Sequence, residues 1–360
     1  VGDGPCNVRV AARGCPPAGT VRVDLKADPA THAMNPAEAS RSRTGLVGHT
    51  GFVGGALLRQ TRFDACYNSA TIAAIDGEAF GTLVCAAAPG SMVEANRAPE
   101  RDKAAIDALI ARLDSVSAER FVLISSIAVL ADFAGGDDET TGAFQQELAY
   151  GRHRRALEAF VEARFPGSLI VRLPALFGAG LRKNFLFDLM NPVPSLLTQA
   201  RRDALVQALD GDLAPWLAAL YTPDAATGLL KLDRARLNAD PRRAGLEAAL
   251  DALGATATQF HHRETTYQYY DTGRLWQDIG IALAAGLSHL HLAPEPLTAR
   301  AIHAALTGRP MPETPARLHH EDMRTAHADL WGAEGPYQFS AAATLDRLVA
   351  FFSGQRRAAA

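Results

Sequence analysis

The chain has 360 residues, 48% hydrophobic and 21% charged, enough to bury a sizeable core and to divide into two lobes. Its 36 basic and 39 acidic residues leave a formal net charge of -3, and the Arg pairs at 154–155, 201–202 and 242–243 lack interleaved aromatics, which argues against a nucleic-acid partner. Four cysteines without CxxC spacing, and no apolar run near the ~18 residues a membrane span needs, point to a reducing, cytoplasmic setting away from membranes.

Residues 1–43 are rich in Gly, Pro, Ala and Arg, hold no sustained period, and read as a disordered leader, with Met34 shortly before the first strand-like run. From Arg43 onward, short apolar runs at 44–48, 63–67, 82–88, 120–130 and 168–174 alternate with helical patterns. Ile106, Leu109, Ile110 and Leu113 share one helical face, and so do Leu157, Phe160, Val161 and Phe165. Strands that are apolar on both faces belong in a parallel sheet covered by helices on each side. The expected fold is therefore α/β, a doubly wound, Rossmann-like parallel sheet over 44–176. Residues 177–360 are expected to form a smaller, mostly helical lobe, with 195–257 helical, a strand within 287–293 and a helix over 296–306. Parts of 267–292 are expected to return to the first domain.

Gly48, Gly51 and Gly54 form G-x-x-G-x-x-G after the first strand and at the start of a helix. In such a turn the first glycine permits a tight strand-to-helix reversal, the second lets backbone N–H groups approach a pyrophosphate, and the third lets helix and strand pack closely. The phosphates then sit at a helix N-terminus, where unpaired N–H groups and the helix dipole favour negative charge. A glycine triad alone is also consistent with an ordinary tight turn; its place after the first strand of an α/β pattern favours a dinucleotide. Around twenty residues on, where an acidic side chain would hold the adenosine ribose of NAD, stand Asn68 and Ser69. Neither would repel a 2′-phosphate, so both NAD and NADP remain open; equally, the pair can simply cap the next short helix.

At this point the chain resembles the extended short-chain dehydrogenase/reductase superfamily, which contains nucleotide-sugar epimerases and dehydratases. The resemblance covers roughly residues 44–352 and is strongest up to Gly180. "VGHTGFVG" is similar to the family's cofactor turn, which implies cofactor contacts at Gly48, Thr50, Gly51, Phe52, Val53 and Gly54. "LVCAAAP" is similar to the strand whose small residues, here Ala86, Ala87 and Ala88, pack on the cofactor, and Asn96 to the helix asparagine of that group. "FVLISSIAV" resembles the strand with the catalytic serine or threonine, placing it at Ser126. "AYGRHR" resembles the tyrosine helix, and "RLPALFGAG", with Leu173 and Pro174, the segment that passes the nicotinamide.

The residue types agree with that chemistry. Tyr150 and Arg154 are spaced i, i+4 and so share a helical face, and a cation beside a phenol favours the phenolate. Such a tyrosine can exchange a proton with a sugar hydroxyl, while Ser126 holds the same oxygen in line with the nicotinamide. One departure stands out: the family pattern is Tyr-x-x-x-Lys, and here the lysine position is Arg154, which keeps the charge but has a planar fork and cannot give up a proton. The alternative reading of the pair is a helix-surface tyrosine beside an arginine.

Arg182, Lys183 and Asn184 follow the nicotinamide-passing segment, where two cations can meet a diphosphate or merely form a solvated basic turn. Gln268, with Tyr269 and Tyr270, either lines the same cleft or packs. The histidines at 261–262, 289, 291 and 319–320 lack Cys or carboxylate partners at ligand spacing, so no metal site is expected. The resulting expectation is an NAD- or NADP-dependent epimerase/dehydratase-type oxidoreductase acting on a sugar or nucleotide sugar, compatible with a homodimer. Dehydratases of this kind usually carry acidic groups just after the catalytic Ser or Thr, and no clear equivalent is present, which favours an epimerase or a reductase. The rival is a non-catalytic dinucleotide-binding sensor or scaffold, to which Arg154 lends support.

Overall fold

The structure is a computed structural model and describes residues 43–359, excepting the side chains of 356–359, so the expected leader lies outside the described residues apart from Arg43. Strand β1 (Thr44–Val47) leads into helix α1 (Phe52–Gln60), then β2 (Ala65–Tyr67), β3 (Ala79–Cys85), α2 (Met92–Arg97) and α3 (Pro99–Asp114). Strand β4 (Ser117–Ser126) ends in a 3-10 turn, and α4 (Ala149–Arg164) and β5 (Leu169–Leu173) follow. Beyond them come β6 (Ala175–Phe177), α5 (Phe185–Met190), β7 (Leu196–Leu197), α6 (Gln199–Ala208), α7 (Leu213–Leu220), β8 (Tyr221–Asp224), β9 (Leu229–Leu232), α8 (Arg234–Asn238) and α9 (Arg243–Ala252). The chain continues through β10 (Thr266–Tyr267), β11 (Tyr269–Asp271), α10 (Leu275–Ala284), β12 (His289–His291), β13 (Leu297–Thr298), α11 (Ala299–Thr307) and α12 (Ala341–Ala359).

Six strands form one sheet in the order β12-β5-β4-β3-β1-β2, with every pairing parallel. Its two faces are both dry, which is why the strands lack polar alternation. On one face Ile106, Leu109 and Leu113 of α3 and Leu157 and Val161 of α4 pack on Leu83, Phe121, Leu123 and Ile170. On the other, Leu57 of α1 and Leu275, Ile279 and Ala282 of α10 pack on Leu46, Val84, Val122 and Val171. The late strand β12 joins the edge at β5, with His289 opposite Ile170 and His291 opposite Arg172.

Three expectations need correction. The strand expected over 82–88 stops at Cys85, and Ala86–Ala88 leave the sheet as a loop; the run expected over 120–130 leaves the strand after Ser126. Nor is 195–257 wholly helical, because β7, β9 and β8 make a small antiparallel sheet beside α6–α9. That unit has its own core around Leu205, Trp216, Leu217, Leu232 and Leu246. Strands of two to four residues are too short for period to distinguish them from helix. Among the described residues, no helix is long and apolar enough to cross a membrane.

Candidate active site

The carboxyl ends of parallel strands are where α/β sheets place their ligands, and here the ends of β1, β3, β4 and β5 converge. At β1 the chain reverses through Gly48, which adopts φ +90 and donates its N–H to the Tyr67 carbonyl at 2.8 Å. A Cβ on Gly48 would run into the Ala86 carbonyl and one on Gly54 into the Gly48 carbonyl, so these two glycines close the turn against β3 and against the helix. Gly51 differs: it is exposed, has φ -74 and ψ 171, and an added Cβ would meet only the Gly48 carbonyl, at 3.3 Å. No side chain caps α1, so its first N–H groups, from Phe52 onward, face the open side of the turn beside exposed Thr50 and half-buried Val53. His49, inside the turn, has a buried Nδ1 without a partner among the described residues.

Across the sheet, Ala86, Ala87 and Ala88 are half-buried in the loop after β3, and Leu173 and Pro174 are buried at the end of β5. Ser126 ends β4, its Oγ accepting the Ala128 N–H at 3.2 Å. Helix α4 is seated directly on that 3-10 turn. A Cβ on Gly151 would overlap the Ala128 carbonyl, so only glycine lets the residue after Tyr150 come this close to the segment carrying Ser126. Tyr150 is half-buried, and the Arg154 guanidinium lies over its ring, 3.9 Å from the centroid. Arg154 is 2% exposed. Its Nη1 donates to Asp102 Oδ2 at 2.5 Å and to the Tyr150 carbonyl at 3.2 Å, and its Nη2 to the Pro89 carbonyl at 2.5 Å; Nε is buried without a partner among the described residues.

Other expected site residues are held by the protein itself. Asn96 accepts the Tyr150 backbone N–H at 2.9 Å, so it secures the start of α4. Asn68 Oδ1 accepts from the N–H groups of Ala70 and Thr71 in the turn ahead of the 3-10 helix over Ile72–Ile75, whose N-cap is Thr71 with no side-chain cap bond, and Ser69 is exposed. Arg182 is exposed, and Lys183 donates to the Gly90 carbonyl at 2.5 Å, tying the segment before α5 to the loop after β3. Asn184, expected to meet substrate, instead caps α5: Oδ1 accepts from Phe187 N–H, Nδ2 donates to the Leu176 carbonyl, and the backbone is at φ 108. Gln268 is the clearest correction. It is 0% exposed, its Nε2 donating to the Pro294 and Met323 carbonyls and its Oε1 accepting from Met323 N–H, so its amide joins buried segments and faces no cleft.

Asp102, Gly151 and the buried cluster behind Ser126 were not singled out by sequence reasoning. Asp102 had a visible signal, since it stands one turn before Ile106 on the apolar stripe of α3, where a carboxylate requires a partner. Burial alone would push its carboxyl up, but the bonds from Arg154 and His153 outweigh it and hold it below the usual range. Behind Ser126, Ser125 Oγ donates to Glu158 Oε1 at 2.5 Å, and Arg172 grips Glu158 with Nε and Nη2 at 3.0 and 2.8 Å. Arg172 Nη1 donates to His291 Nε2 at 3.0 Å, leaving His291 Nδ1–H to donate to the Arg324 carbonyl at 2.8 Å. Burial and the facing Arg172, opposed by Glu139, hold the His291 imidazole below its ordinary value. A cavity of about 320 Å³ beside the C-terminal half of α1, lined among others by Arg59, Gln60, Thr272 and Arg347, includes none of Ser126, Tyr150 and Arg154.

No family model and no curated protein matches the sequence. Solved structures do match the fold. The dTDP-4-dehydrorhamnose reductase of Bacillus anthracis, solved with NADP, superposes with a TM-score of 0.55 at 12% identity, over 87% of this chain and 99% of that one. The UDP-N-acetylglucosamine 4-epimerase of Methanobrevibacter ruminantium gives 0.53 at 9% identity over 87% and 97%, and MoeE5, solved with UDP-glucose and NAD, 0.52 at 14% over 89% of this chain and 100% of that one. The chain shares with these solved reductases and epimerases a Rossmann-like α/β fold built on a parallel sheet. At these identities the likeness speaks for architecture and not for activity.

Proposed function

We infer that the chain is an NAD(P)-dependent oxidoreductase or epimerase acting on a hydroxyl or carbonyl of a sugar-like, nucleotide-linked substrate. The observation that carries this reading is the convergence, at the carboxyl ends of one parallel sheet, of an uncapped glycine turn, Ser126 and the Tyr150–Arg154 pair. The residues present suit a dinucleotide. The open side of Gly51, the first N–H groups of α1 and the unpartnered Nε of Arg154 are the groups that would hold it. A bound nicotinamide supplies hydride transfer.

The chain's own part is orientation and proton exchange. Ser126 holds the reacting oxygen of the substrate, and the Tyr150 hydroxyl gives it a proton or takes one from it. Arg154 serves Tyr150 from the face of the ring, not as a proton carrier, since a guanidinium does not give up its proton. Exposed Arg182 is the cation available to a diphosphate.

Purified protein should carry or bind NAD or NADP, identified by mass spectrometry and calorimetry, and should turn over at least one member of a panel of nucleotide sugars. Failure to bind either dinucleotide at about millimolar concentration, where only affinities weaker than ~4 kcal/mol escape detection, removes the basis of the reading. One observation favours the non-catalytic alternative: Arg154 already bonds Asp102, the Tyr150 carbonyl and the Pro89 carbonyl. Dinucleotide binding with no turnover across the panel would make that alternative the better account.

A further inference from the structure

Helices α2 and α3 each send one polar side chain to the start of α4. Asn96 takes the Tyr150 N–H, and Asp102 takes both the guanidinium of Arg154 and, at 2.8 Å, Nδ1 of His153 through the same oxygen, Oδ2. The three side chains are buried, with Asp102 at 7%, His153 at 6% and Arg154 at 2% exposure. Arginine has several rotatable bonds, and a cation–π contact alone is too weak to fix one rotamer over a phenol ring. Here the two ends of the fork are pinned separately, Nη1 by Asp102 and Nη2 by the Pro89 carbonyl in the loop that follows β3. A planar group held at both ends can present only its face to the ring.

The geometry points to Asp102 as the positioning residue for Tyr150: acting through Arg154, it locks the guanidinium against the phenol and fastens the loop after β3 to the helix that bears the tyrosine. Lysine could not do this, because a point-like ammonium cannot span Asp102 and Pro89 and also lie flat on a ring. The departure from Tyr-x-x-x-Lys and the carboxylate in the apolar stripe of α3 are thus two halves of one device. This inference rests on the reading of Tyr150 as the proton-exchanging group for its catalytic half, while the clamp itself does not depend on that reading.

Asp102→Asn keeps the shape and removes the charge. Hydrogen exchange followed by mass spectrometry should show the backbone of 88–97 and 148–156 exchanging about tenfold faster than in wild type, the loss of one charge-assisted hydrogen bond, with circular dichroism unchanged. Arg154→Met should loosen the same two segments, and the double variant should cost less than the sum of the two, since both remove the shared Asp102–Arg154 contact while the His153 and Pro89 bonds are each touched by one variant alone. With a turned-over substrate, kcat should fall about tenfold or more in each single variant, while the dinucleotide Kd of Asp102→Asn, which keeps Arg154, stays within about threefold. If Asp102→Asn does not fold for lack of a counter-charge, the double variant, which buries neither charge, carries the same exchange comparison against wild type. Unchanged exchange in both segments, or costs that add in the double variant, overturns the inference. A wild-type protein that binds no dinucleotide would sink the functional reading instead, leaving the clamp result standing.

Discussion

Gly51→Val separates the cofactor turn from the fold more cleanly than any other change in the molecule. Valine is compatible with the Gly51 backbone at φ -74 and ψ 171, and its Cβ would meet one atom, the Gly48 carbonyl at 3.3 Å. The fold should lose at most about 1 kcal/mol from a poorer N-cap, partly offset by the lower entropy of the unfolded chain. The thermal midpoint should therefore fall by no more than about 4 °C. Binding should suffer far more, because a branched side chain would stand on the open side of the turn, between the first N–H groups of α1 and any pyrophosphate. Each hydrogen bond to a charged phosphate is worth about 1.5–3 kcal/mol, so losing two weakens binding by ~10²–10⁴-fold. Calorimetry with NAD and NADP reads the affinity, and a melting curve reads the fold. Gly54→Val is the contrasting control, since its Cβ would enter the Gly48 carbonyl and should cost folding as well. A Gly51→Val protein that melts normally and binds within about threefold of wild type would refute the placement of the cofactor at this turn.

Tyr150→Phe removes the hydroxyl at nearly constant volume, so kcat on a confirmed substrate should drop by ~10²–10⁴-fold with dinucleotide affinity unchanged; wild-type turnover would end the catalytic assignment. Arg172→Met leaves the wholly buried Glu158 without its bidentate partner and should cost about 3–5 kcal/mol in chemical denaturation, with Glu158→Leu added in the same chain recovering part of the loss. His291 is held neutral in the fold, below its ordinary value of 6.5, so unfolding takes up a proton in acid. Stability should be full above about pH 6.5 and fall as the pH drops below it, and His291→Gln should flatten that slope; equal slopes in wild type and variant would refute the assignment of the titrating group.

Much of the architecture is local and so legible in order along the chain. Apolar runs without alternation announce a sheet covered on both faces, and Gly48, Gly51 and Gly54 announce a tight strand-to-helix turn, because each signal is written within a few neighbouring residues. Tyr150 and Arg154 likewise share a face because helical spacing alone puts them there, and the cation does lie on the ring. Other features belong only to the folded molecule. Nothing near Gln268 tells that its amide will join Pro294 to Met323 in the interior, or that Asn184 will use both ends of its side chain on its own helix and strand. Strand β12 finds β5 across more than a hundred residues, bringing His291 to Arg172, at a separation of 119. Asp102 shows the division most clearly. Its place on the apolar stripe of α3 says that a partner must exist, since a lone buried carboxylate is unfavourable, but the partner is 52 residues away, and only the packing of α3 against α4 decides that it is Arg154.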